Sequence, residues 1–262
     1  MAPYTTSTIS ADGVNIFYRS SGPPTAPVIL LLHGFPSSSH QFRNLIPLLS
    51  QNHRVIAPDL PGYGFTDVPP SRAYQYTFAS LASTTGAFLD ALSIRQFSLY
   101  IFDYGAPLGR ASPHHAERKR LPSPDREQLR RLLTLEATRS QYTSGTPDAK
   151  RAAIAPEAYT LDHHLMSSAA RQEAQLDLLQ DYGSNVLLYP RFHEWFRASR
   201  VPILAAWGRN DSIFLPAGAA AFREDLGEQV ELHLLDAGHF AVETETEELA
   251  GLILAFLGKN GI

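Results

Sequence analysis

Residues 99–107 read LYIFDYGAP, a short apolar run that ends at an aspartate followed by a turn of small residues. The apolar run predicts a buried strand, and an acidic side chain directly after such a strand makes poor structural chemistry. A nucleophile elbow explains it, because a sharp strand-to-helix turn pushes one side chain out of the sheet and needs small residues behind it. The pattern therefore predicts Asp103 as a nucleophile, with a helix-capping aspartate as the structural alternative.

Strands and helices alternate on both sides of this stretch. Residues 5–20 alternate apolar and polar side chains around Asp12-Gly13, which predicts a hairpin. PVILLLHGF at 27–35 predicts a strand buried on both faces of a parallel sheet. Helical spacing of apolar residues predicts helices over 38–49 and 76–93. The alternation predicts an α/β fold with a mostly parallel sheet and right-handed crossovers.

The pattern changes in the middle of the chain. From about Ser112 to Arg200 charged, helical segments occur without an obvious strand. VPILAAWG, VELHLLDAG and a final helix from Glu245 to Leu257 then restore the alternation. We therefore predict a first part of the core at 1–111, an inserted helical cap (lid) at 112–200 and a second part of the core at 201–262.

The composition excludes several functional classes. The 262 residues are 44% hydrophobic and 18% charged, with a net charge of -4 and no cysteine. This balance is typical of a globular protein, and it offers no basic stripe for nucleic acid and no thiol for disulfides or catalysis. The N-terminal residues lack the pattern of a signal peptide, and no apolar run is long enough to span a bilayer. We expect a soluble cytoplasmic protein without a membrane partner.

Further motifs supply partners for Asp103. HGFP at 33–36 follows a predicted central strand and brings the backbone N–H near Phe35 towards that of Tyr104, as an oxyanion hole requires. WGRND at 207–211 puts Asp211 just beyond another strand, and DAGHF at 236–240 puts His239 beyond the last one. The chain order nucleophile, acid, histidine is the order of a hydrolase triad.

Taken together, HGFP, DLPGYGFTD, FDYGAP, WGRND and DAGHF resemble the epoxide-hydrolase and haloalkane-dehalogenase branch of the α/β-hydrolases. QYTSGTPD and LDLLQDYGSNVLLYP suggest the same branch in the cap. The resemblance implies the α/β-hydrolase fold, with an inserted helical lid. It also implies that Asp103 is the nucleophile, His239 the base and Asp211 its orienting acid, with Phe35 and Tyr104 as oxyanion donors.

The implied reaction has two steps and needs no metal or organic cofactor. The Asp103 carboxylate attacks an electrophilic carbon, and water activated by His239 then hydrolyses the alkyl ester. We expect a small-molecule substrate and a monomer or homodimer. An apolar epoxide is favoured, with haloalkane or haloacid dehalogenation and ester or lactone hydrolysis as alternatives. A catalytically silent scaffold that binds a small molecule or a partner is the alternative of another class.

The leaving group depends on the hydrogen-bond donors in the cap. Epoxide opening needs an acid that protonates the alkoxide, usually a tyrosine, whereas halide departure needs donors such as a tryptophan N–H. Tyr104 follows the predicted nucleophile at a position where epoxide hydrolases and haloalkane dehalogenases commonly have tryptophan. The predicted cap contains four tyrosines but one tryptophan, Trp195. This composition favours an epoxide, with Tyr142 and Tyr182 as the predicted acid donors.

The chain departs from the family pattern directly after the elbow. The family has a long helix and a further buried strand there, but between Gly109 and Arg130 the only strongly apolar residues are Leu121 and Leu129. About a helix and a strand are therefore missing, through a real deletion or a wrongly joined gene model. The histidine pairs at 114–115 and 163–164 lack a third ligand, so no metal site is expected.

Overall fold

The computed structural model describes residues 3–108 and 125–262, and within them the strands form two sheets. The first sheet has five strands in the order β1-β2-β4-β3-β5, and the second pairs β6 with β7. The strands are β1 (Thr5–Ala11), β2 (Val14–Ser21), β3 (Val28–Leu32), β4 (Arg54–Pro58), β5 (Ser98–Ile101), β6 (Ile203–Gly208) and β7 (Val230–Leu235).

The strand directions confirm the predicted hairpin and the parallel centre of the sheet. β1 and β2 pair antiparallel, with Ala11 opposite Val14 across a turn in which Asp12 and Gly13 have φ of 53° and 71°. β3 lies parallel to β4 and β5, and β6 lies parallel to β7. β2 pairs antiparallel with β4, so the hairpin forms an antiparallel margin on a parallel core.

Helices cover the sheets, and further helices lie in the described part of the interval between β5 and β6. Short 3-10 turns occur at Ser39–Phe42, Pro70–Arg72, Arg131–Leu133 and Gly227–Gln229. The α-helices are α1 (Leu45–Leu49), α2 (Phe78–Ala91), α3 (Gly105–Leu108), α4 (Arg126–Arg130), α5 (Leu135–Thr143), α6 (Asp148–Arg151), α7 (Pro156–Met166), α8 (Ala169–Asp181), α9 (Gly183–Val186), α10 (Tyr189–Ser199), α11 (Pro216–Leu226), α12 (Ala241–Thr244) and α13 (Thr246–Lys259).

β3 shows why the first sheet is buried on both faces. Successive side chains of a strand point to opposite faces, and Leu30 and Leu32 pack in one apolar cluster while Ile29 and Leu31 pack in another. α2 covers the first face, and α1 and α13 cover the second. The continuous apolar run of β3 is therefore fully enclosed, as the sequence predicts.

The predicted helix at 38–49 is divided in the structure. A 3-10 turn over Ser39–Phe42 comes first, and α1 begins only at Leu45. The backbone N–H and the hydroxyl of Ser39 both donate to Asp59, with 2.8 Å for the N–H bond. These bonds tie the start of the segment to the end of β4. Pro47 in α1 has no N–H for the carbonyl oxygen of Arg43, which is where one regular helix over the segment is interrupted.

The helices α4 to α10 lie between β5 and β6, where the cap is predicted. Hydrogen bonds join them to the core. For example, Gln175 donates to the carbonyl oxygen of Gly62 at 2.9 Å, Arg171 to that of Thr66 at 2.7 Å, and the Phe78 N–H to Asp181 at 2.9 Å. The domain boundaries themselves stay a prediction. In the described part of the chain no helix has the length and apolarity needed to cross a membrane.

The two sheets are separate in the described residues. β5 pairs only with β3 on its inner side, and β6 pairs only with β7. Residues 109–124, which contain most of the interval predicted to lack a helix and a strand, lie outside the described residues, as does the pair His114-His115. Within 3–108 and 125–262, no strand joins β5 to β6.

We expect this chain to be marginally stable. Losing a central strand removes core burial on the order of several kcal/mol, against a total of roughly 5 to 15 kcal/mol for a typical domain. A thermal melt should therefore show a transition at or below the mesophilic range of about 45 to 65 °C, with aggregation. A transcript that encodes this chain, together with a sharp melt well above that range, would contradict the expectation.

Candidate active site

Asp103 sits on a strained turn at the carboxyl end of β5. Its φ is 49°, in the left-handed region that a residue with a side chain rarely adopts. The N–H of Gly105 donates to the carbonyl oxygen of Phe102 at 2.8 Å, which closes the turn. A Cβ on Gly105 would lie 2.6 Å from the carbonyl oxygen of Leu32, so this position requires glycine. The strained turn lifts the carboxylate above the edge of the sheet, as a nucleophile elbow does.

The loop after β3 brings hydrogen-bond donors to this carboxylate. The N–H of Phe35 donates to Oδ1 of Asp103 at 2.6 Å, and the N–H of Tyr104 also bonds the carboxylate. Gly34 makes the approach possible, because a Cβ there would lie 2.2 Å from Oδ1 and 2.5 Å from the nitrogen of Tyr104. Both predicted oxyanion donors therefore lie at the carboxylate group of Asp103.

His239 and Asp211 reach the same place from the second sheet. Nδ1 of His239 lies 2.9 Å from Oδ2 of Asp211, whose Oδ1 accepts from the N–H groups of Ile213 at 2.8 Å and Phe214 at 3.0 Å. These bonds fix the Asp211 carboxylate and favour the tautomer with the proton on Nδ1 of His239. Nε2 of His239 then faces Oδ2 of Asp103 at 3.9 Å.

Burial sets the electrostatics of the nucleophile. The side chains of Asp103 and His239 are only 6% and 4% exposed. Burial raises the pKa of Asp103 to about 6, while His239 and the N–H groups of Phe35 and Tyr104 limit the rise. At neutral pH the group is therefore mostly ionised, but it is more basic than an ordinary aspartate. Such a carboxylate is suited to attack a carbon atom.

Nε2 of His239 is buried, and in the described residues it has no hydrogen-bond partner. The 3.9 Å to Oδ2 of Asp103 is longer than a hydrogen bond. The imidazole ring is held by Phe102 at 4.8 Å and by Phe214 at 5.5 Å between ring centroids. The nitrogen is thus aimed at the carboxyl group of Asp103 and is free to accept a proton from a third molecule.

Tyr182 lies beside the nucleophile. Its ring stacks on that of Tyr104 at 5.8 Å and meets Phe78 edge-on at 5.8 Å. Burial raises its pKa, with further contributions from Tyr189, to which its hydroxyl is hydrogen-bonded, and from the charge of Asp103. A neutral phenol near the nucleophile can donate a proton or a hydrogen bond.

Tyr142, the other predicted acid donor, has different contacts. Its hydroxyl donates to Asp162 and lies 3.4 Å from Oγ of Ser37. Its ring stacks on Phe240 with centroids 3.8 Å apart. The hydroxyl is therefore engaged by polar groups of the protein. Its role as an acid donor stays a prediction that these contacts do not favour.

Other polar residues of the motifs support the loops. His33 is fully buried, its Nδ1 lies 3.1 Å from the carbonyl oxygen of Gly34, and its Nε2 accepts from the N–H of Leu60 at 2.9 Å. Burial lowers the pKa of His33, so the ring stays neutral and its hydrogen bonds shape the loop. Sequence reasoning missed Asp162, which no spacing or motif distinguishes from an exposed helical aspartate.

Comparison with known proteins places this geometry in a family. A family model described as alpha/beta hydrolase fold matches residues 27–126. An uncharacterized hydrolase of Saccharomyces cerevisiae is 39% identical over 281 aligned residues, which cover 95% of each chain. The chain belongs to the α/β-hydrolase family. The protein is therefore an enzyme of the hydrolase class, as the sequence predicts.

Two further members relate this α/β-hydrolase to the predicted branch. A haloalkane dehalogenase of Psychrobacter cryohalolentis is 40% identical over 97 residues, which cover 37% of this chain and 32% of the dehalogenase. The crystal structure of an epoxide hydrolase from Vigna radiata superposes with a TM-score of 0.74 at 22% identity, covering 99% of this chain and 99% of that one. The fold prediction is therefore confirmed.

The alignment with the yeast hydrolase also bears on the split sheet. Its 281 aligned positions exceed the 262 residues of this α/β-hydrolase, so the relative contains residues without a counterpart here. This difference agrees with the prediction that the chain lacks part of the family pattern.

Proposed function

We propose that the protein is a hydrolase that uses Asp103 as a covalent nucleophile, with an apolar epoxide as the favoured substrate class. The observation that carries the proposal is that the two carboxylate oxygens of Asp103 have different contacts. Oδ1 accepts from the Phe35 N–H at 2.6 Å, while Oδ2 faces the imidazole of His239 at 3.9 Å. A capping aspartate, the structural alternative, would place its carboxylate on its own helix and not between a histidine and a distant loop.

In the first step Oδ2 of Asp103 attacks a carbon atom of the epoxide ring. A carbon–oxygen bond of the ring breaks, and the new bond to Oδ2 forms an alkyl ester. The leaving oxygen needs a proton, which we assign to the hydroxyl of Tyr182. Its ring stacks on Tyr104, and the hydroxyl would exchange its hydrogen bond to Tyr189 for one to the leaving oxygen. The rings of Phe35 and Phe78 pack against that of Tyr104, the residue after the nucleophile, and this aromatic cluster favours an apolar substituent on the epoxide.

In the second step water attacks Cγ of the ester. His239 takes the proton of the water at Nε2, and Asp211 stabilises the imidazolium that forms. The negative charge of the tetrahedral intermediate develops on Oδ1, where the N–H groups of Phe35 and Tyr104 stabilise it. Collapse releases the second oxygen of a diol, which takes the proton back from His239. The carboxyl group of Asp103 still holds the other proton of the water, and its transfer to the Tyr182 phenolate, directly or through solvent, restores both the carboxylate and the phenol.

The hydrogen-bond donors favour an epoxide over a haloalkane. Both tryptophans of the chain are poorly suited to bind a halide, since the Trp207 N–H donates to the carbonyl oxygen of Phe214 at 2.7 Å and Trp195 is 48% exposed on α10. The phenols of Tyr104 and Tyr182 lie nearer the nucleophile. The similarity to a haloalkane dehalogenase keeps dehalogenation as the second candidate reaction.

The test is a product assay on matched substrates. The protein is incubated with an aryl epoxide, a bromoalkane of similar size and an aryl ester, and diol, bromide and acid are measured. We expect diol formation to dominate and Tyr182→Phe to slow it, because the alkoxide loses its proton donor. Bromide release without diol would favour the second candidate. Acid release alone would indicate an ester hydrolase, and no product from any substrate would indicate a silent scaffold.

A further inference from the structure

A buried polar cluster connects the cap helices with the loops beside the active site. Tyr142 comes from α5, Asp162 from α7 and Ser37 from the loop after β3, and none of the three is more than 2% exposed. The Tyr142 hydroxyl donates to Asp162 and lies 3.4 Å from Oγ of Ser37. No step of the proposed reaction uses these groups, so their burial needs another explanation.

The hydroxyl of Tyr142 contacts the turn that carries an oxyanion donor. The N–H of Ser37 donates to the carbonyl oxygen of Gly34 at 3.0 Å, so these two residues close a turn around Phe35. A displacement of Ser37 therefore moves the Phe35 N–H. Oxyanion donors work only when they are held at a fixed distance from the developing charge. Two parts of the site, the Phe35 N–H and His239, must keep their positions relative to Asp103. The Tyr142 hydroxyl contacts the turn that holds the first of them.

The ring of Tyr142 contacts the other part. It stacks on Phe240 with centroids 3.8 Å apart and an angle of 15° between the planes. Phe240 directly follows His239 in the loop after β7. In the described residues no backbone ladder joins the β6–β7 sheet to the sheet of Asp103. In the described residues, side-chain contacts of this kind help to set the position of His239 relative to Asp103.

Asp162 holds the Tyr142 hydroxyl from the cap. Burial raises the pKa of Asp162 to about 8. The hydrogen bonds of Tyr142 and Ser37 limit the rise, and the carboxylates of Glu243 and Asp59 add to it. Glu243 is paired with Arg43 through two hydrogen bonds of 2.7 and 2.9 Å. At neutral pH the Asp162 carboxyl group is mostly uncharged, so it can stay buried beside Tyr142 without an ionic partner of its own.

We propose that Tyr142 and Asp162 are a positioning pair that fixes the Phe35 N–H and His239 relative to Asp103. This inference rests on the proposed function, since it assigns the pair to the same oxyanion donor and base. The pair touches no reacting atom and acts through Ser37 and Phe240. It makes the cap part of the support of the catalytic geometry.

Single-turnover kinetics on the full chain test the pair. Tyr142→Phe keeps the ring on Phe240 but removes the hydroxyl, and Asp162→Asn keeps an acceptor for that hydroxyl. Tyr159→Phe is the matched control, because Tyr159 lies on the same helix as Asp162 with its ring 6.0 Å from that of Tyr142. With an aryl epoxide we expect Tyr142→Phe to slow ester formation and ester hydrolysis by about tenfold, with little change in KM. The control should match the wild type.

The pH profile separates positioning from mere stability. Above pH values of about 8, Asp162 becomes charged in a buried place that faces Glu243 and Asp59, with Arg43 already committed to Glu243. We expect the wild-type kcat to fall as the pH rises through this value. Asp162→Asn cannot ionise, so its profile should lack this alkaline limb.

Two results would overturn the inference. One is wild-type rates in Tyr142→Phe with an unchanged thermal melt. The other is a fall of kcat at alkaline pH that persists in Asp162→Asn or is absent from the wild type. This second result tests the inference even if Tyr142→Phe does not fold. This alkaline fall is measured in kcat, which does not require an intermediate to be detected. Failure to detect an alkyl ester in the wild type would therefore refute the proposed covalent reaction without removing the test of the pair.

Discussion

Asp103→Ala abolishes turnover if the carboxylate is the nucleophile, by about 10⁴-fold or more. Water cannot replace the carboxylate as the nucleophile, because the Phe35 N–H and His239 both face the position of the Asp103 oxygens. The measurement is diol formation from an aryl epoxide with purified, folded protein. Asp90→Asn is the matched control, because Asp90 is an exposed aspartate whose ion-pair partner is Arg95. It should retain the wild-type rate.

A single turnover in heavy-oxygen water sharpens this prediction. The attacking water adds to Cγ of the ester, so one heavy oxygen stays in the Asp103 carboxylate after the product leaves. Mass spectrometry of the peptide that contains Asp103 should show the label. Label that enters only the product in the first turnover would mean that water attacks the epoxide directly, and the covalent mechanism would be wrong.

His239→Gln should separate the two steps. The base acts on water only in the second step, so the variant still forms the alkyl ester but does not release it. Mass spectrometry of the intact protein should show the mass of protein plus epoxide, with one equivalent consumed in a burst. His164→Gln, a change on the exposed side of α7, is the control and should turn over without accumulating ester.

The opposite result for His239→Gln is equally clear. An unmodified protein with full activity would remove His239 from the mechanism. Protein that is neither modified nor active, despite a wild-type melt, would show that His239 is needed already in the alkylation step.

Local sequence patterns were sufficient for the parts of the site that lie at strand ends. The run before Asp103 predicts β5, and the motifs around Phe35, Asp211 and His239 each follow a strand that the structure contains. Carboxyl ends of parallel strands meet at one edge of a sheet. The approach of Phe35 to Asp103 on one sheet, and of Asp211 to His239 on the other, could therefore be predicted from the sequence. The approach of His239 to Asp103 depends on how the two sheets pack, and the roles assigned to these residues stay predictions.

Long-range side-chain contacts could not be predicted in this way. Tyr142 and Ser37 are 105 positions apart, and Arg43 and Glu243 are 200 apart. A tyrosine in the cap reads equally well as an acid donor or as a buried structural group, because its partner Asp162 looks like an ordinary helical aspartate in the sequence. Only packing decides whether a hydroxyl faces the substrate or another residue.

The separation of the two sheets has a consequence for the way mutations are tolerated. In a continuous sheet a ladder of backbone hydrogen bonds carries rigidity between strands, independently of side-chain identity. Here the base stands on one sheet and the nucleophile on the other, and aromatic rings at Phe102, Phe240 and Tyr142 bridge the interval. Changes at these rings should therefore be less interchangeable during evolution than changes at equally buried positions within either sheet.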